Sequence, residues 1–590
     1  MVRFLQFILL VILAVIVVRC ANSISLPPGG PKDVTPPKVI ETIPRNGSPG
    51  FSTNKFTIKF DEYVTLVDIQ SAALISPPME DMPEFTIKGK SLQVKFVEEP
   101  KPNTTYSVYF GEAIVDITEQ NPIFNYTYIF STGDYVDSLS FSGHVYNAFD
   151  LLPVESTFVM LYKDNNDTIP LDSLPYAVVP YYLSKTDING RFQFDGLSDD
   201  EYLLFATNDQ NSNYFFDQPG EQIAFLDSLV HPTYFERSIK DTTLTDSLYS
   251  IEITPDSIVV IADSLLPDSA FTVLDMGINM YMFLSPDTIQ RLVKAEVIEK
   301  NAVLFAFSQP ATDVKFEFVR YPLDSFLYVK DFSLQKDTMY WYLNDPPNDS
   351  LEMRLTQFDD TLGVVYLKLD LSKKSVRLRK KDDEEKKKEF LGWKSNVKSN
   401  KLDLDKHLEI RFSQPNVRFN NVDSSLLIVG TDSIWDPKFS FTDDLNMKIE
   451  FPFEIKEETK YRVYFPDSSF SSWNNIHTKA IEVNFSTLTL SDYGIFTFDL
   501  FPTVNQNYIL QFLNEDEKLI REFRFNSDTS VTFSYLTPGI YLSKIIFDSN
   551  KDNSWSTGNY AEKLQPEEVI YYTKEIKVRG NWEIEEEWEW

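Results

Sequence analysis

The sequence predicts an all-β chain built as a multi-domain array of β-sandwiches. Three observations predict it. Short segments alternate apolar and polar residues with period two, as in Thr57-Ile-Lys-Phe60, Leu92-Gln-Val-Lys-Phe96 and Tyr106-Ser-Val-Tyr-Phe110. Pro, Asn, Asp and Gly interrupt these segments at short intervals, and no long stretch keeps a helical period. The same strand words also recur far along the chain at equal spacing. With 590 residues, 43% of them hydrophobic, the chain has material for several separate cores.

Residues 1–19 read as a signal peptide. Arg3 supplies a short positive start, and 4–18 is an apolar run broken only by Gln6, too short for a comfortable membrane span. The single cysteine, Cys20, follows directly, the pattern of a lipidated N-terminal cysteine. Arg19 departs from the small residue usual before such a cysteine, and an uncleaved anchor with an incidental Cys is the alternative. Residues 20–37 contain Pro27, Pro28, Pro31, Pro36 and Pro37, a stiff tether that cannot form helix.

The first predicted sandwich spans 38–133. It carries Phe60-Asp61, Leu92 to Phe96, Pro102-Asn-Thr-Thr-Tyr-Ser-Val-Tyr-Phe110 and Ile129-Phe-Ser-Thr132. A second copy over 398–490 carries Phe412-Ser413, Met447 to Phe451, Glu457-Glu-Thr-Lys-Tyr-Arg-Val-Tyr-Phe465 and Asn484-Phe-Ser-Thr487. Each copy precedes a module of a second kind, 138–235 and 491–590, with a strand tyrosine (Tyr202, Tyr541) seven residues before an aspartate. Between the pairs, 255–371 reads as a divergent sandwich that shares Phe-Ser-Gln-Pro at Phe307 and Phe412. Residues 372–397 read as a charged linker or hairpin. Within it, 373–388 holds nine basic and four acidic residues, a solvated loop or a contact for anionic headgroups.

Lys+Arg 55 against Asp+Glu 88 gives a net charge of −33, which repels phosphate backbones and excludes general nucleic-acid binding. One cysteine excludes internal disulfides and cysteine-based zinc sites. The four histidines are scattered, and no nucleophile elbow, His-Glu-x-x-His helix or phosphate loop occurs, so the chain reads as a non-enzyme. A Ser/His site assembled from distant residues is left open by sequence.

Two Asx-rich loops are the candidate metal sites. Asp209, Asn211, Asn213 and Asp217 fall at relative positions 1, 3, 5 and 9, with Glu221 following. The second copy has Asp548, Asn550 and Asp552, with Asn553 placed for a left-handed turn. This spacing turns alternate oxygens toward one centre and suits Ca²⁺. The alternative is a turn held by Asx side chains. The word Asp-Ser-apolar at Ser138, Ser173, Ser228, Ser247, Ser257, Ser264 and Ser350 resembles a bacterial O-glycosylation word, which makes these serines candidate sites, against ordinary turn chemistry. The tail Trp582-Glu-Ile-Glu-Glu-Glu-Trp-Glu-Trp590 alternates apolar and acidic residues. It reads as a strand with its apolar residues turned outward, pairing with its own last domain or with a partner's sheet.

Pro28-Gly-Gly-Pro-Lys-Asp33, Thr35-Pro-Pro37, Phe60-Asp-Glu-Tyr-Val64, Ile75-Ser-Pro-Pro78, Pro102-Asn-Thr-Thr105 and Phe130-Ser-Thr-Gly133 resemble the bacterial Ig-like domain of Bacteroidota outer-membrane lipoproteins. Thr186-Asp187 with Gly190-Arg-Phe192 resembles the transthyretin-like, carboxypeptidase-regulatory module. The resemblance implies an array of Ig-like and transthyretin-like sandwiches, lipidation at Cys20, and the Bacteroidota O-glycosylation word. It implies an outer membrane location, the cell-surface side favoured over the periplasmic one. It also implies a non-catalytic scaffold or interaction subunit of an outer-membrane complex, such as the β-barrel assembly machinery. The competing expectation is a glycan- or nutrient-capturing lipoprotein beside a TonB-dependent transporter.

Overall fold

The computed structural model describes residues 33–163, 169–234, 278–286, 289–299, 301–319, 327–333, 335–344, 350–358, 360–369, 390–420 and 425–590. The predicted signal peptide, Cys20, most of the tether, Ser247, Ser257, Ser264 and the 373–388 charge block lie outside them. The described residues form an all-β array of sandwiches in two compact units. Unit one holds residues 1–146 and 152–282; unit two holds 147–151 and 283–590.

In unit one, the first sandwich has one sheet in the order Val39–Ile43, Lys55–Phe60, Ser91–Lys95, Glu84–Lys88. The facing sheet has Leu74–Ser76, Thr105–Tyr109 and Thr127–Ser131. Period-two alternation sends Phe56, Ile58 and Phe60 inward against Tyr106, Val108 and Phe130, all essentially inaccessible. Phe56 stacks on Tyr128 at 3.8 Å. Each such aromatic contributes on the order of 2–3 kcal/mol of burial. The end of the predicted tether lies on this sandwich: Pro37 is buried and the Asn121 amide donates to the Asp33 carbonyl at 3.0 Å.

The second module closes around a core that includes Phe141, Val159, Phe192, Phe194, Tyr202 and Leu204. Its sheet runs Tyr182–Lys185, Phe158–Lys163, Tyr202–Thr207, Gln222–Phe225, Ile278–Leu284, Leu139–Asn147, Arg191–Leu197. The expected boundaries differ here. Ile278–Leu284 falls within the predicted divergent sandwich 255–371, yet it enters this sheet and gives Met280 and Met282 to this core. A run as apolar as Ile-Asn-Met-Tyr-Met-Phe-Leu can complete any sheet with a vacant edge; sequence adjacency does not choose which. Within unit one the two sandwiches are joined directly. The Leu183 N–H donates to the buried Ser76 hydroxyl at 2.9 Å, and Asp137 N–H to Thr105 Oγ1 at 3.0 Å.

In unit two, the next sandwich pairs Leu292–Glu299, Ala302–Phe307, Thr338–Asn344 and Leu327–Phe332 over Lys315–Phe318, Ser350–Gln357 and Asp360–Lys368. Fully buried Trp341 is its centre, with Phe305, Phe316 and Tyr328 around it and the Lys330 ammonium 4.5 Å above its ring. The fourth sandwich repeats the first strand for strand. Trp393–Ser395, Glu409–Phe412, Lys448–Glu450 and Ser440–Phe441 face Leu426–Val429, Lys460–Phe465 and Ile481–Ser486. It adds one edge strand, Asp432–Trp435, that the first lacks. It also begins earlier than expected, because Leu391 and Trp393, assigned to the linker, pack into its core.

The two copies share a corner. Tyr106 accepts from Lys101 N–H at 2.9 Å and Tyr461 from Lys456 N–H at 2.6 Å. Thr132 and Thr487 bridge the same loops, donating to the Lys101 and Lys456 carbonyls.

The last module packs Gly494–Phe501 and Thr529–Leu536 against Asn507–Asn514, Leu519–Phe525, Gly539–Asp548, Val569–Tyr571 and Ile576–Val578. Its Tyr541 hydroxyl donates to the carbonyl four residues back, Thr537, as Tyr202 does to Ser198 in the second module. The tail strand Glu583–Glu589 pairs in parallel with Gly494–Phe501. The expected outward apolar face is corrected: Trp588 is buried against Phe498 and Tyr572, and Ile584 and Trp590 also pack on the core, since that burial is worth more than exposing three large side chains. Trp582, outside the strand, is half exposed.

Candidate functional site

The two Asx-rich loops are built alike. Strand Tyr202–Thr207 delivers the first, and Gly539–Asp548 the second. In the first, Asp209 accepts from Ser212 N–H at 2.6 Å and Tyr214 N–H at 2.6 Å. In the second, Asp548 accepts from Asp552 N–H at 3.1 Å and Asn553 N–H at 3.3 Å. Asn211 and Asn550 each accept from the residue two on, Asn213 and Asp552. Asn213 and Asp552 do the same for Phe215 and Ser554. Tyr214 and Asn553 occupy the equivalent left-handed position, each at φ 65°. The sequence predicts this conformation for Asn553; in the first loop a tyrosine takes it, and Asp209 secures it by holding its N–H.

A buried glutamate locks each loop. Glu221, 1% exposed, accepts from Gln210, Asp217 and Gln218 N–H groups at 2.9–3.0 Å. Glu567, 7% exposed, accepts from Ser549 and Asn550 N–H on one oxygen and from Ser556 N–H at 2.9 Å on the other. Burying a carboxylate is costly unless donors surround it, and here the loop backbone supplies them. Sequence reasoning missed Glu567, because it follows Gln565 by two residues where Glu221 follows Gln218 by three. The usable signal was that each copy has a glutamate two or three residues after Gln (Gln218, Gln565).

This donor set fits a self-satisfied turn. Asp217 faces the amide N–H groups of Asn211 and Asn213 at 3.2 and 2.9 Å, so a cation there would have to turn both amides over. Burial works to raise the Asp552 carboxyl, but the Ser554 and Ser556 hydroxyls, with Ser554 N–H and the Asn550 amide, outweigh it and hold the group below its ordinary range. Among the described residues, no three His, Cys, Asp or Glu side chains converge as a metal cluster.

The described candidate glycosylation serines are spread over the array. Ser138 and Ser228 are exposed, while Ser173 and Ser350 are half-buried. His231 pairs with Asp199 at 3.0 Å on open surface.

The outer face of the fourth sandwich carries a second arrangement. Register places Trp435, Leu426, Tyr464 and Glu482 in one row and Ser433, Ile428, Arg462 and Asn484 in the next. Trp435 is 64% exposed, and Arg462 reaches Glu482 at 3.1 Å while lying 6.0 Å over the Tyr464 ring. A surface cavity of about 400 Å³ opens beside this face, lined by Ile428, Arg462, Asn484, Asn400 and Ser486 among others.

Residues 33–132 match the family model of a bacterial Ig-like domain. No curated protein matches the chain. Solved structures similar to parts of it include an L,D-transpeptidase from Mycobacterium smegmatis, 15% identical, over 26% of this chain and 74% of that one, TM-score 0.12. Native alpha-2-macroglobulin from Escherichia coli (domains MG0-NIE-MG1) is 14% identical over 31% of this chain and 70% of its own, TM-score 0.15. The Bacteroides ovatus mixed-linkage glucan utilization locus protein SGBP-B, solved with a heptasaccharide, is 9% identical over 74% and 93%, TM-score 0.19. At these scores none bears on function.

Proposed function

We propose that this chain is a non-catalytic, lipid-anchored outer-membrane protein of the Bacteroidota, a scaffold or interaction subunit of an outer-membrane complex that assembles β-barrel proteins. One observation carries the scaffold reading. Within each unit, neighbouring sandwiches are fastened by side chains instead of being strung on free linkers. In unit one the fasteners are Ser76–Leu183 and Thr105–Asp137. In unit two they are the Ala302–Tyr342–Met447 cluster, the Asn474 amide on the Leu343 carbonyl and the Arg521–Asp405 ion pair at 2.6 Å. Such fixed joints suit a part that holds partners at set spacing. The signal-like start and Cys20 support the anchor. The test is affinity purification of a tagged copy from native outer membranes in mild detergent. Stoichiometric barrel-assembly subunits are the expected companions; a chain recovered alone at every salt and detergent would end the proposal.

The Trp435 face favours a second reading, capture of glycans beside a TonB-dependent transporter. An exposed indole in the same row as Tyr464, two strands away, with Arg462 and Asn484 in the next row, offers stacking and hydrogen bonding along a sugar chain. Calorimetric titration with oligosaccharides, lost in Trp435→Ala, is the result that reading requires.

A further inference from the structure

The tail strand Glu583–Glu589 ends its sheet, and among the described residues no strand pairs beyond it. Ile495 N–H binds the Trp582 carbonyl at 2.8 Å and Thr503 N–H binds the Trp590 carbonyl at 2.9 Å. In a parallel ladder the backbone groups of successive residues point to opposite sides. The even-numbered tail residues therefore face Gly494–Phe501, and Glu583, Glu585, Glu587 and Glu589 turn their N–H and C=O groups to the open edge. The side chains of those same four residues are exposed, spaced about 6.6 Å apart along one face. Bordering the same edge is a cavity of about 600 Å³ lined by Asp499, Lys574, Glu585, Glu586 and Glu587. Lys574 is its one cation, and it is already bound to Glu586 at 2.7 Å. Asp499 stands directly opposite Glu587 with like charge.

We propose that this edge docks a basic extended segment of a partner protein, which adds a fourth strand to the three-stranded sheet. The backbone ladder supplies registration, and Lys or Arg at alternate positions of the incoming strand meets the four glutamates and enters the acidic cavity. Charge complementarity selects this occupant. A second copy pairing through the same edge would set glutamate against glutamate. The inference rests on the interaction role proposed above only for calling the occupant a protein partner.

The test uses the full chain and an eight-residue peptide alternating Lys or Arg with Val or Thr. Fluorescence anisotropy should show saturable one-to-one binding that weakens from 50 to 500 mM salt. Glu585→Gln with Glu587→Gln removes two cross-strand ion pairs and should weaken binding about 2- to 30-fold, with the fold intact. A peptide of the same composition with proline at its ladder positions should not bind. Equal binding of the proline peptide would mean charge adhesion without a ladder and overturns the proposal, as does no binding of either peptide. Dimerisation of the chain that strengthens in the double variant would assign the edge to a second copy and overturn the proposal. Tighter peptide binding after deletion of 373–388 would assign it to the chain's own basic block. Peptide failure alongside successful native co-purification would sink the edge and leave the scaffold reading standing; the converse would do the opposite.

Discussion

Glu567→Gln should open one Asx loop and leave its twin closed. The amide keeps a single oxygen. Placed at the Oε1 position, that oxygen retains the donations from Ser549 N–H, Asn550 N–H and the Ser549 hydroxyl. The new NH₂ then confronts the Ser556 N–H, which donated to Oε2 at 2.9 Å. The opposite placement would orphan three donors, so the first is the cheaper. One charge-assisted hydrogen bond is lost, worth about 1.5–3 kcal/mol. Asp548 still holds Asp552 and Asn553, so the loss appears as local opening and not as global unfolding. About 2 kcal/mol corresponds to roughly 30-fold faster exchange of the Ser556 amide. Hydrogen exchange read by mass spectrometry checks this, with the 209–221 loop as internal control. Unchanged exchange across 549–556 would refute the idea that the buried glutamate is the lock.

Three further outcomes follow from the same geometry. Millimolar Ca²⁺ or a chelator should shift the thermal midpoint by less than about 1 °C, well under the effect of 1 kcal/mol on a 100-residue module; a rise of several degrees that Asp209→Asn abolishes would restore the calcium reading. Tyr106→Phe and Tyr461→Phe should each cost about 1 kcal/mol by leaving the Lys101 and Lys456 N–H groups without their acceptor, and denaturant titration should find the two losses alike. Lys544, 3.4 Å over the Phe149 ring, is pushed down by burial to about 8 from an ordinary 10.5. Below pH 8 both folded and unfolded chains carry its proton and the native state bears the full desolvation cost; between 8 and 10.5 only the unfolded chain keeps the proton, so rising pH favours the fold. Lys544→Met should therefore be neutral to stabilising at pH 7, by up to about 2 kcal/mol after solvent screening, with the gain shrinking as pH passes 8; a constant difference across that window would contradict the assigned shift.

What could be read in the sequence was whatever one strand fixes by itself. Alternation at Phe56, Ile58 and Phe60 names the buried face before any partner is known. The repeat of Pro-Asn-Thr-Thr-Tyr with Glu-Glu-Thr-Lys-Tyr marked two corners that superpose hydrogen bond for hydrogen bond. What could not be read was which sheet accepts a strand. Ile278–Leu284 has the right pattern for either neighbour, and the edge beside Leu139–Asn147 is where it goes. The direction of the tail failed for the same reason: period two tells that Ile584 and Trp588 share a face with each other, not which way that face turns.

The same distinction explains why the loops were half understood. Side chains at 209, 211 and 213 announce themselves by spacing, and spacing alone cannot tell oxygens arranged around an ion from oxygens arranged around their own backbone. The deciding residues, Glu221 and Glu567, lie across the loop at different chain distances from Asp209 and Asp548, 12 and 19 residues on. A ligand set that must close on a fixed ion tolerates such an insertion poorly. A carboxylate that only has to reach a few N–H groups tolerates it well, because the seven extra residues can bulge outward while Glu567 returns to the same place. Divergent spacing around a shared hydrogen-bond pattern thus favours the turn, and it makes the exchange experiment on Glu567 more decisive than any further comparison of the two loops.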